Sequence, residues 1–175
     1  YKNKLTQDGK NFEKYLEKIN RKIRDIEKLV NEFSNFARMP RPILKKVDVL
    51  QIINKSLDFV KLTSKNTINL KTNITKKFII GDEDQLNRVF INLIKNSEES
   101  FLEQLQKEPD FKGNIDIEII DNNDYIAIRI TDNGTGIKDA KKAMTPYFTT
   151  KKTGTGLGLP IVTKIINEHS GNFSI

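Results

Sequence analysis

The chain has 175 residues, 37% of them apolar, enough for one compact core with an appendage but not for two full domains. Its 30 Lys and Arg against 23 Asp and Glu leave a net charge of +7. The lysines are scattered and no aromatic residues interleave with them, so nucleic-acid binding is not expected; nucleotide phosphates, an acidic protein or plain solvent suit such a surface better. Zero cysteines and a single histidine, His169, exclude disulfides, thiolate metal sites and a His-based zinc centre.

No stretch approaches the roughly 18 apolar residues of a membrane span. Tyr1 to Lys10 is too polar for a secretory leader. The chain opens on Tyr1, not Met, and is read as a piece of a longer protein.

Phe12, Leu16, Ile19, Ile23, Ile26, Val30 and Phe33 are spaced alternately 4 and 3 apart, a heptad seam at a and d positions with charged residues between. A long helix with one narrow apolar stripe needs another helix against it. Pro40 and Pro42 stop the helix, and the segment around 36–46 is expected to be a linker that detaches it from the rest of the chain.

Asp48 is placed to cap a helix through Val49, Ile52, Ile53, Leu57 and Val60. Ile68, Leu70 and Thr72 alternate as a strand that Ile74 extends, and Phe78 to Ile80 reads as a short buried strand ending at Gly81. Asp82 or Asp84 caps the next helix, Gln85 to about Leu105. Ile115, Ile117 and Ile119 alternate, Asp121 to Asp124 turns the chain, and Ile126, Ile128 and Ile130 alternate again: a hairpin with one buried face. A last helix runs from about Leu157 to Glu168, and Asn172 to Ile175 begins another strand. Helices with antiparallel strands indicate an α/β protein, a two-layer α/β sandwich.

Three places carry candidate chemistry. Asn92 and Asn96 are i and i+4, so they share a helix face apart from the core stripe of Leu86, Val89, Phe90, Leu93 and Ile94. Two amides there suit a hydrated Mg²⁺ and phosphate oxygens, or are simply polar surface. Asp132-Asn133-Gly134-Thr135-Gly136 follows a strand; its carboxylate can accept from an exocyclic amine and its glycines admit a flat base, or it is a solvated turn. Gly154-Thr155-Gly156-Leu157-Gly158-Leu159 leads into a helix, as an anion site or a tight junction requires. It fits neither the dinucleotide fingerprint nor the Walker loop.

Taken in order, the Asn helix, the strand with Asp-x-Gly-x-Gly, Pro146-Tyr147-Phe148-Thr149-Thr150-Lys151 and the second glycine run resemble an ATP-binding domain. It is shared by sensor histidine kinases, DNA gyrase, a heat-shock chaperone family and mismatch-repair ATPases. The pieces are similar to that family's N box, first glycine box, F box and second glycine box. Gyrase-like members carry a water-activating Glu where this chain has Asn92. An amide cannot take that proton, so the resemblance narrows to the kinases. Phe33 to Pro40 and Tyr147 to Lys151 look most like the nitrogen-regulation branch, NtrY/NtrB-like sensor kinases of two-component systems.

The resemblance implies a Bergerat-type ATP-binding fold preceded by the second helix of a dimerisation and phosphotransfer hairpin. It places the hairpin helix at 1–39, a linker at 40–47 and a C-terminally truncated catalytic domain at 48–175. It implies that Asn96 binds Mg²⁺ and Asn92 contacts phosphate and takes part in catalysis. Asp132 recognises adenine, with Gly134 and Gly136 shaping that pocket. Ile137 to Thr153 forms an ATP lid, in which Phe148 anchors by packing and Thr149, Thr150 and Lys151 face the nucleotide. Lys151 or Lys152 neutralises phosphate charge, or is a solvated lid residue. Gly154, Thr155, Gly156, Leu157 and Gly158 wrap the phosphates.

The cofactors implied are ATP and Mg²⁺. The partners implied are a response regulator and a second copy of the full-length chain, with no nucleic acid, and the setting is a cytoplasmic domain compatible with an inner-membrane anchor elsewhere. The phosphoacceptor motif is absent, so the acceptor is expected upstream of Tyr1, and His169 is expected to pack or cap. Glu98 and Glu99 stand where some members have a basic residue, which removes the basis for a phosphate contact there. The competing readings are an anti-sigma-like serine kinase with the same boxes and a nucleotide-independent dimerisation module.

Overall fold

The computed structural model describes residues 2–62, 64–122, 124–151 and 154–175. Its first element is helix α1, Lys2–Ala37. The seam stays open along its length, from 42% exposed at Leu16 to 63% at Phe12, as a heptad stripe must where no second helix covers it. The C-terminal end differs. Phe36 and Met39 pack on a small core of Val89, Leu157, Ile161, Val162 and Ile165. Lys164 Nζ lies 5.4 Å from the centre of the Phe36 ring. Gln85 Nε2 donates to the Pro40 carbonyl at 2.9 Å. The prolines end the helix but do not detach it, because apolar side chains on both sides of Ala37 reach the domain.

The linker is also shorter than expected. Strand β1, Lys45–Asp48, pairs antiparallel with β3, Phe78–Gly81, so a boundary between 47 and 48 falls inside a strand. Nor is β3 a buried strand: Phe78 is 42% and Ile80 63% exposed, and Ile79 alone of the three packs on the core. A two-stranded ribbon covers one face only, and alternate residues point away from it.

Helix α2, Val49–Lys61, begins where the sequence predicts, with the Asp48 side chain accepting from Leu50 N–H at 3.0 Å. Strand β2 is Thr67–Thr72, and Ile74 lies beyond its end but packs on the core. Helix α3, Glu83–Leu105, is capped by Asp82, which accepts from Gln85 N–H at 3.1 Å. Strands β4, Asn114–Asp121, and β5, Ile126–Asp132, form the predicted hairpin, with Ile115 opposite Asp132 and Asp121 opposite Ile126. In its turn Asn122 N–H donates to the Tyr125 carbonyl at 3.0 Å; Asn123 lies outside the described residues. A short α4, Ala140–Ala143, and α5, Gly158–Glu168, complete the order.

The larger sheet is β2-β4-β5, and it corrects the antiparallel expectation: β2 runs parallel to β4. Between them the chain passes through β3 and α3, a crossover long enough to return β4 in the same direction. Ile115, Ile117 and Ile119 of β4 are buried with Ile52, Ile53 and Leu57 of α2 and Leu86, Phe90, Ile94 and Phe101 of α3. One sheet face against one helix layer makes the predicted two-layer α/β sandwich, preceded by the long helix. The strand expected at 172–175 does not form, although Phe173 packs on the second core. Among the described residues no helix is long and apolar enough to cross a membrane.

Candidate functional site

Helix α3 is the spine of the site. Its core stripe fixes its rotation, and that leaves Asn92 and Asn96 on another face. Their Nδ2 atoms are buried and without a partner. An orphaned buried donor costs roughly 1–3 kcal/mol, and two neighbouring ones on a single helix face leave that face open to a polar ligand or to water. Gly158, the first residue of α5, sits directly beside this face: a Cβ there would lie 3.6 Å from both amide atoms of Asn96.

The next turn of α3 holds Asp132 at the end of β5. Ser97 Oγ donates to Asp132 Oδ2 at 2.8 Å, Ser100 Oγ lies 3.4 Å from Oδ1, and Gly134 N–H donates to Oδ1 at 2.9 Å. These bonds orient the carboxylate while the residue stays exposed. Gly134 is pressed against α3, since a Cβ would fall 1.8 Å from Ser100 Oγ. Gly136 stands in open space at φ 69°, in the left-handed region. Ser97 and Ser100 are site residues that sequence reasoning missed. Their signal was present: Ser97 adjoins Asn96, and Ser100 continues the row at i+4.

The segment after α4 closes on α3 from the other side. Thr149 Oγ1 accepts from Lys151 N–H at 3.1 Å. Lys151 Nζ donates to Glu99 Oε2 at 2.8 Å and to the Asn96 carbonyl at 3.3 Å. Gly154 lies against Thr149. Tyr147 N–H donates to the Gly156 carbonyl at 3.0 Å. Phe148 is 39% exposed, and its backbone, not its ring, meets Gly156. The aromatic that meets another ring here is Tyr147, 6.3 Å from Phe33 of α1. Thr150 is exposed, and Lys152 and Thr153 lie outside the described residues.

Two members of the second glycine run have other engagements. Leu157 is a correction: it is fully buried in the second core, so only its backbone is left to meet a ligand. The apolar positions of α5 set its rotation, and Leu157 belongs to that set. Thr155 Oγ1 hydrogen-bonds Glu32 of α1. The start of α5 is also distinctive: α2, α3 and α4 each begin with an Asp side-chain cap, whereas α5 has no side-chain cap. Its first backbone N–H groups are therefore left for an anion, beside Asn96.

His169 caps α5 and ties it to α3. Its Nδ1 meets the Ile165 carbonyl at 2.8 Å, and its Nε2 accepts from Asp82 N–H at 2.9 Å. Asp82 in turn accepts from Ile43 N–H at 2.8 Å. Burial alone would raise the Asp82 pKa, but the N–H groups of Ile43, Gln85 and Asp84, aided by His169, hold it below the usual carboxylate value.

Thus one face of α3 brings the Asn pair, the strand-end Asp and both glycine segments together. Residues 81–175 match the family described as histidine kinase-, DNA gyrase B-, and HSP90-like ATPase, and the chain belongs to this family. It is 37% identical over 94% of its length to a "Putative sensor histidine kinase NtrY-like" of Rickettsia bellii, and spans 26% of that relative. It is 32% identical over 98% of its length to "Nitrogen regulation protein NtrY" of Azorhizobium caulinodans, spanning 22% of it. The chain thus covers about a quarter of the length of these curated relatives.

The fold matches a mycobacterial sensor histidine kinase, MprB, with TM-score 0.62 and 24% identity, covering 75% of this chain and 84% of that one. It also matches the catalytic domain of histidine kinase ThkA with TM-score 0.59 and 22% identity, covering 72% and 81%. The family and these relatives define an ATP-binding catalytic domain of the histidine kinase type, of the NtrY branch.

The donor set fits Mg²⁺ delivered with phosphates. Among the described residues no three His, Cys, Asp or Glu gather to form a cage. Mg²⁺ accepts one or two protein oxygens and completes its shell with phosphates and water. An Asn96 amide turned end for end presents such an oxygen.

Proposed function

We propose that this chain is the ATP-binding and phosphoryl-donating part of a sensor histidine kinase, which passes the γ-phosphoryl group of Mg-ATP to a histidine for relay to a response-regulator aspartate. The observation that carries this reading is the pair of buried, unpartnered amides of Asn92 and Asn96 beside the uncapped start of α5.

In this reading Asp132 accepts from the adenine amino group, held in aim by Ser97 and Ser100. The backbone around Gly154, Gly156 and Gly158 wraps the phosphates, and Asn92 binds a phosphate oxygen. Asn96 would hold Mg²⁺, which when bound supplies charge neutralisation along the triphosphate. Lys151 adds a cation on the same side. Asn92 cannot accept a proton, so water is not activated and transfer to an imidazole is favoured over hydrolysis. The acceptor is a histidine other than His169, because both ring nitrogens of His169 are already engaged. The open seam of α1 supports dimerisation through a helical bundle in the full-length protein.

The test is a titration of the chain and of Asn96→Ala with a nonhydrolysable ATP analogue, with and without Mg²⁺. Mg-dependent affinity is expected to fall by about tenfold or more, the scale of one lost charge-assisted contact. Folding stability should hold, since the Asn96 Nδ2 has no partner to lose. Absence of binding by the unaltered chain in both conditions would overturn the assignment.

A further inference from the structure

The Lys151–Glu99 pair is unlike most ion pairs on this molecule. Its side chains are 26% and 31% exposed, and among the described pairs only Lys77–Asp121 is comparably covered. Coverage matters because an exposed pair is screened to near nothing, whereas a covered one is not. Its position matters more. Glu99 lies one turn beyond Asn96 on α3, and the same ammonium also donates to the Asn96 backbone carbonyl. A carboxylate thus stands beside the amide face and already holds a cation that reaches it.

We propose that Glu99 is a built-in counter-anion of the site: it competes with the nucleotide's phosphates for Lys151 and so sets how strongly the site prefers a triphosphate over the bare nucleoside. The inference rests on the nucleotide reading above. The geometry has a physical consequence. Any phosphate oxygen that takes Lys151 must share it with, or remove it from, a carboxylate at 2.8 Å. This competition weakens phosphate binding and leaves the base end of the site at Asp132 untouched. The residue therefore acts through Lys151 and not on substrate directly, which makes it a specificity-determining residue and not a catalytic one.

The experiment is a double-mutant cycle. The unaltered chain, Glu99→Gln, Lys151→Gln and the double variant are titrated with a nonhydrolysable ATP analogue in the presence of Mg²⁺, and with adenosine. Glu99→Gln keeps the shape of the side chain and is expected to raise triphosphate affinity by about three- to tenfold, the scale of one partly covered charge pair. Adenosine affinity should not change. In the Lys151→Gln background the gain should vanish, because no cation is left to compete for.

The inference is overturned if Glu99→Gln leaves triphosphate affinity unchanged or lowers it. It is equally overturned if the gain persists without Lys151, which would reduce Glu99 to a general repulsive charge. If the unaltered chain binds neither ligand, the nucleotide reading fails and takes this inference with it. If it binds both and Glu99→Gln is indifferent, this inference fails alone.

Discussion

Asp82 and His169 are 87 positions apart in the chain and joined by one hydrogen bond, from the Asp82 backbone N–H to His169 Nε2 at 2.9 Å. The bond couples the N-terminus of α3, which carries the Asn pair, to the C-terminus of α5, whose other end faces that pair. With Nδ1 held by the Ile165 carbonyl, the imidazole is a bridge fixed at both ends. Both helices that define the site are thereby registered against each other at a point away from the Asn pair.

Replacing His169 by Ala should destabilise the domain by roughly 1–3 kcal/mol, the cost of leaving the Asp82 N–H without its acceptor in a partly buried place. A urea unfolding series measures it through the midpoint at constant slope. Because the bridge sets how α3 and α5 meet, affinity for the nucleotide analogue should fall as well. A variant with unaltered stability would show that the bridge contributes nothing.

The Asp82 carboxylate predicts an acid limb to stability. Its folded pKa lies below the ordinary carboxylate value, so at intermediate pH the unfolded chain binds more protons than the folded one. The stabilisation is complete above the unfolded pKa of about 3.9, and it is lost as pH falls through the lower folded value. Asp82→Asn should be less stable near neutrality yet lose less on acidification. Unfolding midpoints taken from pH 6 down to pH 3 (about the range in which carboxylates protonate) should converge for the two proteins. Parallel curves would refute the assignment.

Gly156→Ala should be among the most damaging small substitutions in the molecule. Its φ of 69° is left-handed, and an added Cβ would fall 2.6 Å from the Tyr147 carbonyl carbon and 2.7 Å from the Phe148 oxygen. These are backbone atoms that no rotamer change can clear. The left-handed conformation alone costs an L-residue about 1–2 kcal/mol. The segment from Tyr147 to Phe148 must then move off Gly156, and nucleotide affinity should drop by about an order of magnitude for each 1.4 kcal/mol so lost. Gly136→Ala shares the positive φ but meets nothing within 4 Å. It isolates the conformational cost from the clash, and calorimetric titration of the two variants separates them.

Local features were legible in the sequence. Period-2 isoleucines define a hairpin wherever one face is buried, Asp48 stands one residue ahead of the apolar periodicity of α2, and Asp82 or Asp84 precedes that of α3, which starts at Leu86, so β4, β5, α2 and α3 could be placed from residue order alone. The four boxes carried the nucleotide reading for the same reason: each is a short run whose chemistry depends on adjacent residues. Where the expectation slipped, the deciding contact came from far along the chain. Pro40 breaks a helix but says nothing of Phe36 and Met39 finding the α5 core. Leu157 reads as part of a glycine loop until α5 is rotated by its buried face. The sign of the β2–β4 pairing depends on a crossover, not on either strand. Ser97 and Ser100 matter because β5 ends beside them, and Glu99 matters because Lys151 arrives from 52 residues away. Local spacing determines which side chains share a face; only packing of one element on another decides what that face meets.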